Sequence, residues 1–90
     1  MYYVYILFSL KDNQLYIGYT NNLDRRMKEH FGGKNFATKN RLPLQLIYHE
    51  TYLKWSDAKR REKYLKGGNG RGQLKIQLQD ILKELEYKNL

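Results

Sequence analysis

The sequence predicts a small α/β domain of the α+β type, on three observations. Runs of alternating side chains in YYVYILF, LYIGYT and LQLIYHETY carry the β-rich composition and period of strands. Apolar residues spaced three and four apart in LDRRMKEH, SDAKRREKYLK and the stretch from about Leu74 carry the period of helices. Ninety residues with 41% apolar content and a single proline fit one core and one domain, residues 1–90.

Tyr2 to Phe8 and Leu15 to Thr20 are joined by SLKDNQ, whose Asp12-Asn13 pair supplies turn chemistry, so the two runs read as an antiparallel hairpin. Alternation puts Val4, Ile6 and Phe8 on one face of the first strand and Tyr3, Tyr5 and Leu7 on the other. In the second strand Leu15 and Ile17 oppose Tyr16, Gly18 and Thr20. With the aliphatic faces aligned, Tyr5 and Tyr16 project together beside the gap left by Gly18. Glycine weakens a strand by roughly 0.5–1 kcal/mol, so that gap calls for a reason, and close approach of a substrate backbone or a metal-bound water is the one expected here.

Asn21 or Asn22 can cap the helix that follows. Leu23, Arg26, Met27 and His30 share its inward stripe at i, i+3, i+4 and i+7, while Arg25 points elsewhere. A loop over GGKNFATKNRLP carries Lys34, Lys39 and Arg41, and LQLIYHETY is a third strand. Ser56 is a cap for a second helix that ends at Gly67-Gly68, with Glu62 in line with Ala58 and Leu65. GNGRG lacks the Lys-Ser/Thr ending of a P-loop and reads as a link between helices. Residues 74–90, striped by Leu74, Leu78, Ile81, Leu82 and Leu85, form a third amphipathic helix that covers the sheet or meets a partner.

Seventeen Lys and Arg against nine Asp and Glu leave a formal charge of +8. Between positions 59 and 75 the cations Lys59, Arg60, Arg61, Lys63, Lys66, Arg71 and Lys75 face one acid, Glu62, which points to a polyanionic partner and hence to nucleic acid. The absence of cysteine excludes disulfides and thiolate metal sites and fits a cytoplasmic setting. MYYVYILFSL lacks a basic leader and is too short to span a bilayer, so neither a signal peptide nor a membrane anchor is expected.

If the first and second helices both pack on the tyrosine side of the sheet, Tyr5, Tyr16, Arg26, His30 and Glu62 converge. Such a set suits phosphodiester hydrolysis: a carboxylate for a divalent cation, a guanidinium for charge on phosphoryl oxygens, and a phenol or imidazole to activate water. Plainer roles stand beside these. The tyrosines can pack across a hairpin, Glu62 can pair with Lys66 at i+4, Arg26 and His30 can be helix-surface groups, and His49 can be a strand-edge histidine.

Those residues resemble the GIY-YIG nuclease superfamily, in particular its small single-domain bacterial group, the YhbQ-like proteins. The likeness runs from YVYIL and LYIGYT through NNLDRRMKEH to ATKNRLPLQLIYHETY and SDAKRREKYLK, roughly residues 2–73. It implies a three-stranded antiparallel sheet flanked by helices and cleavage that uses one divalent ion, Mg²⁺ or Mn²⁺. The family's tyrosines fall on Tyr5 and Tyr16, its glycine on Gly18, its arginine on Arg26, its histidine on His30 and its metal-holding glutamate on Glu62. Tyr3 stands where the first motif has glycine, which alters the space beside Tyr5.

The resemblance implies a metal-dependent endonuclease, with DNA ahead of RNA as substrate, Glu62 as metal ligand and Tyr5 or Tyr16 as base. Lys34, Lys39, Arg41, Lys59, Arg60, Lys63, Lys66 and Arg71 are the expected nucleic-acid contacts. Many relatives carry a separate DNA-reading domain, so sequence specificity here is expected only from a homodimer or a protein partner. The alternative is a non-catalytic nucleic-acid-binding domain that uses its basic surface.

Overall fold

The computed structural model describes residues 1–87. Strands β1 (Tyr2–Ser9), β2 (Leu15–Thr20) and β3 (Leu44–Tyr52) form one antiparallel sheet in the order β2-β1-β3. Helix α1 (Leu23–Phe31) lies between β2 and β3, and α2 (Trp55–Lys66), α3 (Gly68–Gln77) and α4 (Gln79–Glu84) follow the sheet. No helix among the described residues is long and apolar enough to cross a membrane.

The hairpin turn is held as its residues dictate. Asn13 takes the left-handed conformation at φ 57°, which Asn tolerates better than most residues, and Asp12 Oδ1 accepts from the Gln14 N–H at 2.9 Å. The register pairs Ile6 with Ile17, Phe8 with Leu15 and Tyr5 with Gly18, so the aliphatic and tyrosine faces fall as alternation predicts. A bulge opposite Ile6 and Leu7 takes Ile47 out of step, which lets Leu44 and Leu46 share a face with Tyr5 and Leu7 while Ile47 and Tyr48 pack on the other.

The two faces are covered by different helices. On the aliphatic face Val4, Ile6, Phe8, Leu15 and Ile17 pack with Ala58 and Leu65 of α2, Leu74 of α3 and Leu82 of α4. On the tyrosine face Tyr5 and Leu7 pack with Met27 and Leu23 of α1. The expected placement of both helices on the tyrosine side is therefore corrected: only α1 is there. The physical reason is the match of apolar surfaces, since Ala58 and Leu65 complete the aliphatic core.

The second helix begins at Trp55, before Ser56, with Lys54 in the cap position and no side chain capping it. GNGRG is not a link but the first turn and more of α3, where Gly70 passes so close to the Tyr64 carbonyl and Leu65 Cα that a Cβ would collide with both. The helix expected over 74–90 is instead the end of α3 and a separate α4, broken at Leu78; residues 88–90 lie outside the described residues. The stripe keeps its expected role on the sheet, with Leu74 and Leu82 fully buried and Leu78, Ile81 and Leu85 packed against the same core.

Candidate active site

Tyr5 projects from the central strand, is fully buried, and lies across the edge strand at its partner Gly18. A side chain on Gly18 would collide with the phenol oxygen and ring carbons of Tyr5. The space foreseen for a substrate is thus filled from within: absence of a Cβ lets the phenol reach over β2 toward the open edge of the sheet.

His30 meets Tyr5 from α1. Asn22 caps this helix, its Oδ1 accepting from the Arg25 N–H at 3.0 Å, and the cap sets the phase that turns Met27 and His30 inward and leaves Arg25 exposed. The Tyr5 hydroxyl and His30 Nε2 share a hydrogen bond of 2.8 Å, and His30 Nδ1 shares one of 2.7 Å with Thr38 Oγ1. Tyr16 closes the group, its ring centroid 5.3 Å from that of His30 and 6.3 Å from that of Tyr5. Thr38, fully buried, was not foreseen from the sequence.

Electrostatics keep this chain of groups neutral. Burial first, then proximity to Tyr16, raises the Tyr5 phenol well above its ordinary value, while Arg26 pulls the other way. Burial and then the Arg26 charge push the imidazole of His30 down to about 4, against a smaller opposing effect of Glu29. At neutral pH Tyr5 is a phenol and His30 an uncharged imidazole, and the opposite directions of the two shifts hold the shared proton on the Tyr5 oxygen.

Arg26 stands beside this pair, half-buried as its phase predicts. Its Nε is 3.1 Å from Glu29 Oε1 but off the direction a hydrogen bond requires, so this buried N–H is left without a hydrogen-bond partner. An anionic oxygen arriving at this guanidinium would compete with the Glu29 carboxylate that already pairs with it.

Glu62 stands on α2 and bonds to lysines of its own helix. Its carboxylate bears on the Tyr5 phenol electrostatically although α2 packs on the aliphatic face. The side chain is 12% exposed, and Lys59 donates to Oε1 at 3.0 Å and Lys66 to Oε2 at 3.1 Å. The plain Glu62–Lys66 pairing is therefore present, and a second lysine adds to it. Among the described residues no three His, Cys, Asp or Glu side chains gather as a metal cage. A lone carboxylate of this kind could take part in holding Mg²⁺ or Mn²⁺ only by exchanging the lysines that now occupy its two oxygens.

The other expected contacts divide. Lys34, Lys39, Arg60, Lys63, Lys66 and Arg71 are exposed. Arg41 is engaged in the fold, gripping Asp12 through two nitrogens at 2.6 and 3.2 Å and so tying the loop to the hairpin. His49 is exposed with its ring against Tyr3.

A sheet that carries two motif tyrosines, backed by an Arg and a His on the next helix, defines a class, and the match to the family model agrees: residues 1–75 fit the GIY-YIG catalytic domain, and the chain belongs to that nuclease family. Within it the chain is similar to small proteins of the UPF0213 group. It is 42% identical over 76 residues to a UPF0213 protein of Staphylococcus haemolyticus, covering 83% of this chain and 92% of the relative. A UPF0213 protein of Clostridium perfringens is 38% identical over 89 residues, or 98% and 95% of the two chains. The solution NMR structure of a UPF0213 protein from Bacillus halodurans superposes with a TM-score of 0.52 at 37% identity, covering 82% of each chain.

Proposed function

We propose that this chain is a divalent-cation-dependent endonuclease that hydrolyses phosphodiester bonds, with DNA as the first substrate to test. The observation that carries this reading is the Tyr5–His30–Thr38 hydrogen-bonded chain beside Arg26, whose buried N–H has no hydrogen-bond partner. Arg26 holds a non-bridging phosphate oxygen and stabilises the charge that gathers on it in the transition state. Tyr5 takes a proton from the attacking water while passing its own to His30 Nε2, a relay that requires the negative charge of a bound phosphate to offset Arg26 and raise the imidazole from its resting value of about 4. In that step Nδ1–H donates to Thr38 Oγ1, which fixes the tautomer and the ring plane. Glu62 would hold the cation, which when bound withdraws charge from the phosphate.

A second reading, nucleic-acid binding without cleavage, is favoured by the two lysines that already satisfy both oxygens of Glu62. Incubation with DNA and RNA panels in Mg²⁺ or Mn²⁺ separates the two. Glu62→Gln and Arg26→Ala should each lower cleavage by a factor of about 10² or more while Arg25→Ala does not. Binding without any product from the unaltered protein would decide for the second reading.

A further inference from the structure

The far side of α2 from Glu62 carries aromatic and charged groups that the hydrolytic site does not use. Glu50 of β3 is their anchor. It accepts from Arg61 Nε at 2.8 and 3.2 Å and from the Tyr52 hydroxyl at 3.0 Å, and Arg61 donates onward to Gln73 Oε1 at 3.3 Å. So fixed, the Arg61 guanidinium lies 5.6 Å from the centre of the Tyr64 ring, within cation–π range. Tyr52, Tyr64, Arg60, Arg61 and Asp57 line an open, largely apolar cavity of about 400 Å³.

We infer that this cavity is a stacking subsite for an unpaired nucleobase, so that the ligand is single-stranded or frayed nucleic acid rather than intact duplex. Three features select that occupant. Tyr64 is 43% exposed and offers its ring to a flat ligand, with a guanidinium already fixed against it. Tyr52 is pinned through its hydroxyl, so the wall is in place before a ligand arrives. The surroundings suit a polyanion, because Arg60 lines this cavity, the next one over Gly67–Gly70 and the one around Glu62, and Lys63 lines the last two. A strand whose backbone follows those cations from Glu62 would deliver a base to Tyr64. Bases inside a duplex are stacked on one another and cannot enter. Asp57, held on Arg60 at 3.0 Å, adds an acceptor at the rim for an exocyclic amino group.

This inference rests on the nucleic-acid reading above, and its test tells the two apart. The full chain is titrated against a single-stranded oligonucleotide carrying 2-aminopurine and against the same sequence as a blunt duplex, without divalent cation. The expected result is quenching of the single strand and a loss of about tenfold or more in its affinity in Tyr64→Ala. Duplex affinity should stay within about twofold, and Tyr64→Phe should keep the single-strand affinity. Tyr64→Leu, which preserves apolar volume without a π face, repeats the measurement should the alanine variant fail to fold. If the unaltered protein binds both ligands and neither Tyr64→Ala nor Tyr64→Leu weakens the single strand selectively, the subsite is overturned and the nuclease reading stands. If the unaltered protein binds neither, both fall. Selective capture of a peptide by this cavity in place of the oligonucleotide would overturn the subsite in favour of a protein partner.

Discussion

Tyr5 takes the volume that a side chain on Gly18 would claim, and the two residues face each other across the β1–β2 register. A fully buried phenol is thereby brought to an edge strand, where Arg26, His30 and Glu62 act on it or bond to it.

Gly18→Ala should therefore harm both stability and cleavage. The new methyl group can be accommodated only if the Tyr5 ring or the β2 backbone moves, at a cost of about 1–3 kcal/mol. For a domain of this size each kcal/mol lowers the melting temperature by roughly 4–8 °C. Calorimetry and a cleavage assay below the melting transition check this; full activity in a folded variant would mean that the position of Tyr5 is immaterial.

Thr38→Val removes one oxygen and keeps the shape. It leaves the buried Nδ1 of His30 without its partner, costing about 1–3 kcal/mol, and frees the ring to choose the wrong tautomer. Cleavage should fall while nucleic-acid affinity holds, and Thr38→Ser should restore it. Loss of stability without loss of rate would reduce Thr38 to packing.

His30 makes stability depend on acid in a defined window. Its folded pKa of about 4 lies below the ordinary 6.5, so the unfolded chain takes up a proton first. Stability from this group is fully present above about pH 6.5, declines as pH falls toward 4 and then levels off. The full shift corresponds to about 3 kcal/mol at 1.36 kcal/mol per unit. Melting of the unaltered protein and of His30→Asn between pH 4 and 8 should show the difference between them shrinking with acid. Parallel curves would place an ordinary histidine there.

Affinity for generic nucleic acid should fall steeply with salt. Contact with about four phosphates gives a slope of log K against log salt near −3 to −4. Oligonucleotide titrations at several salt concentrations measure it, and a flat response would remove the electrostatic basis for binding.

The tyrosine pair and the phase of α1 were legible because a strand and a helix each impose one period on their side chains. Tyr5 and Tyr16 had to share a face, and Arg26, not Arg25, had to turn inward. Periodicity tells which side of α2 is buried but not which face of the sheet receives it, so Glu62 was foreseen at the site for a placement of α2 that does not occur. Thr38 gave no signal, since a lone threonine in a polar loop has no period and its partner lies eight residues away. The start of α3 was hidden by its glycines, poor helix formers whose value here is the close approach of Gly70 to α2.

The sheet also acts as a partition between two unequal reservoirs of stability. Its aliphatic side is anchored by α2, α3 and α4 together, whereas its tyrosine side is closed by nine residues of α1 resting on Leu23, Met27 and His30. Local opening of α1 sacrifices only the smaller cluster, so its amides should exchange with deuterium ahead of those of α2 while the main core stays shut. Access to the tyrosine face is then set by the fluctuations of one short helix, on a free-energy scale smaller than that of global unfolding.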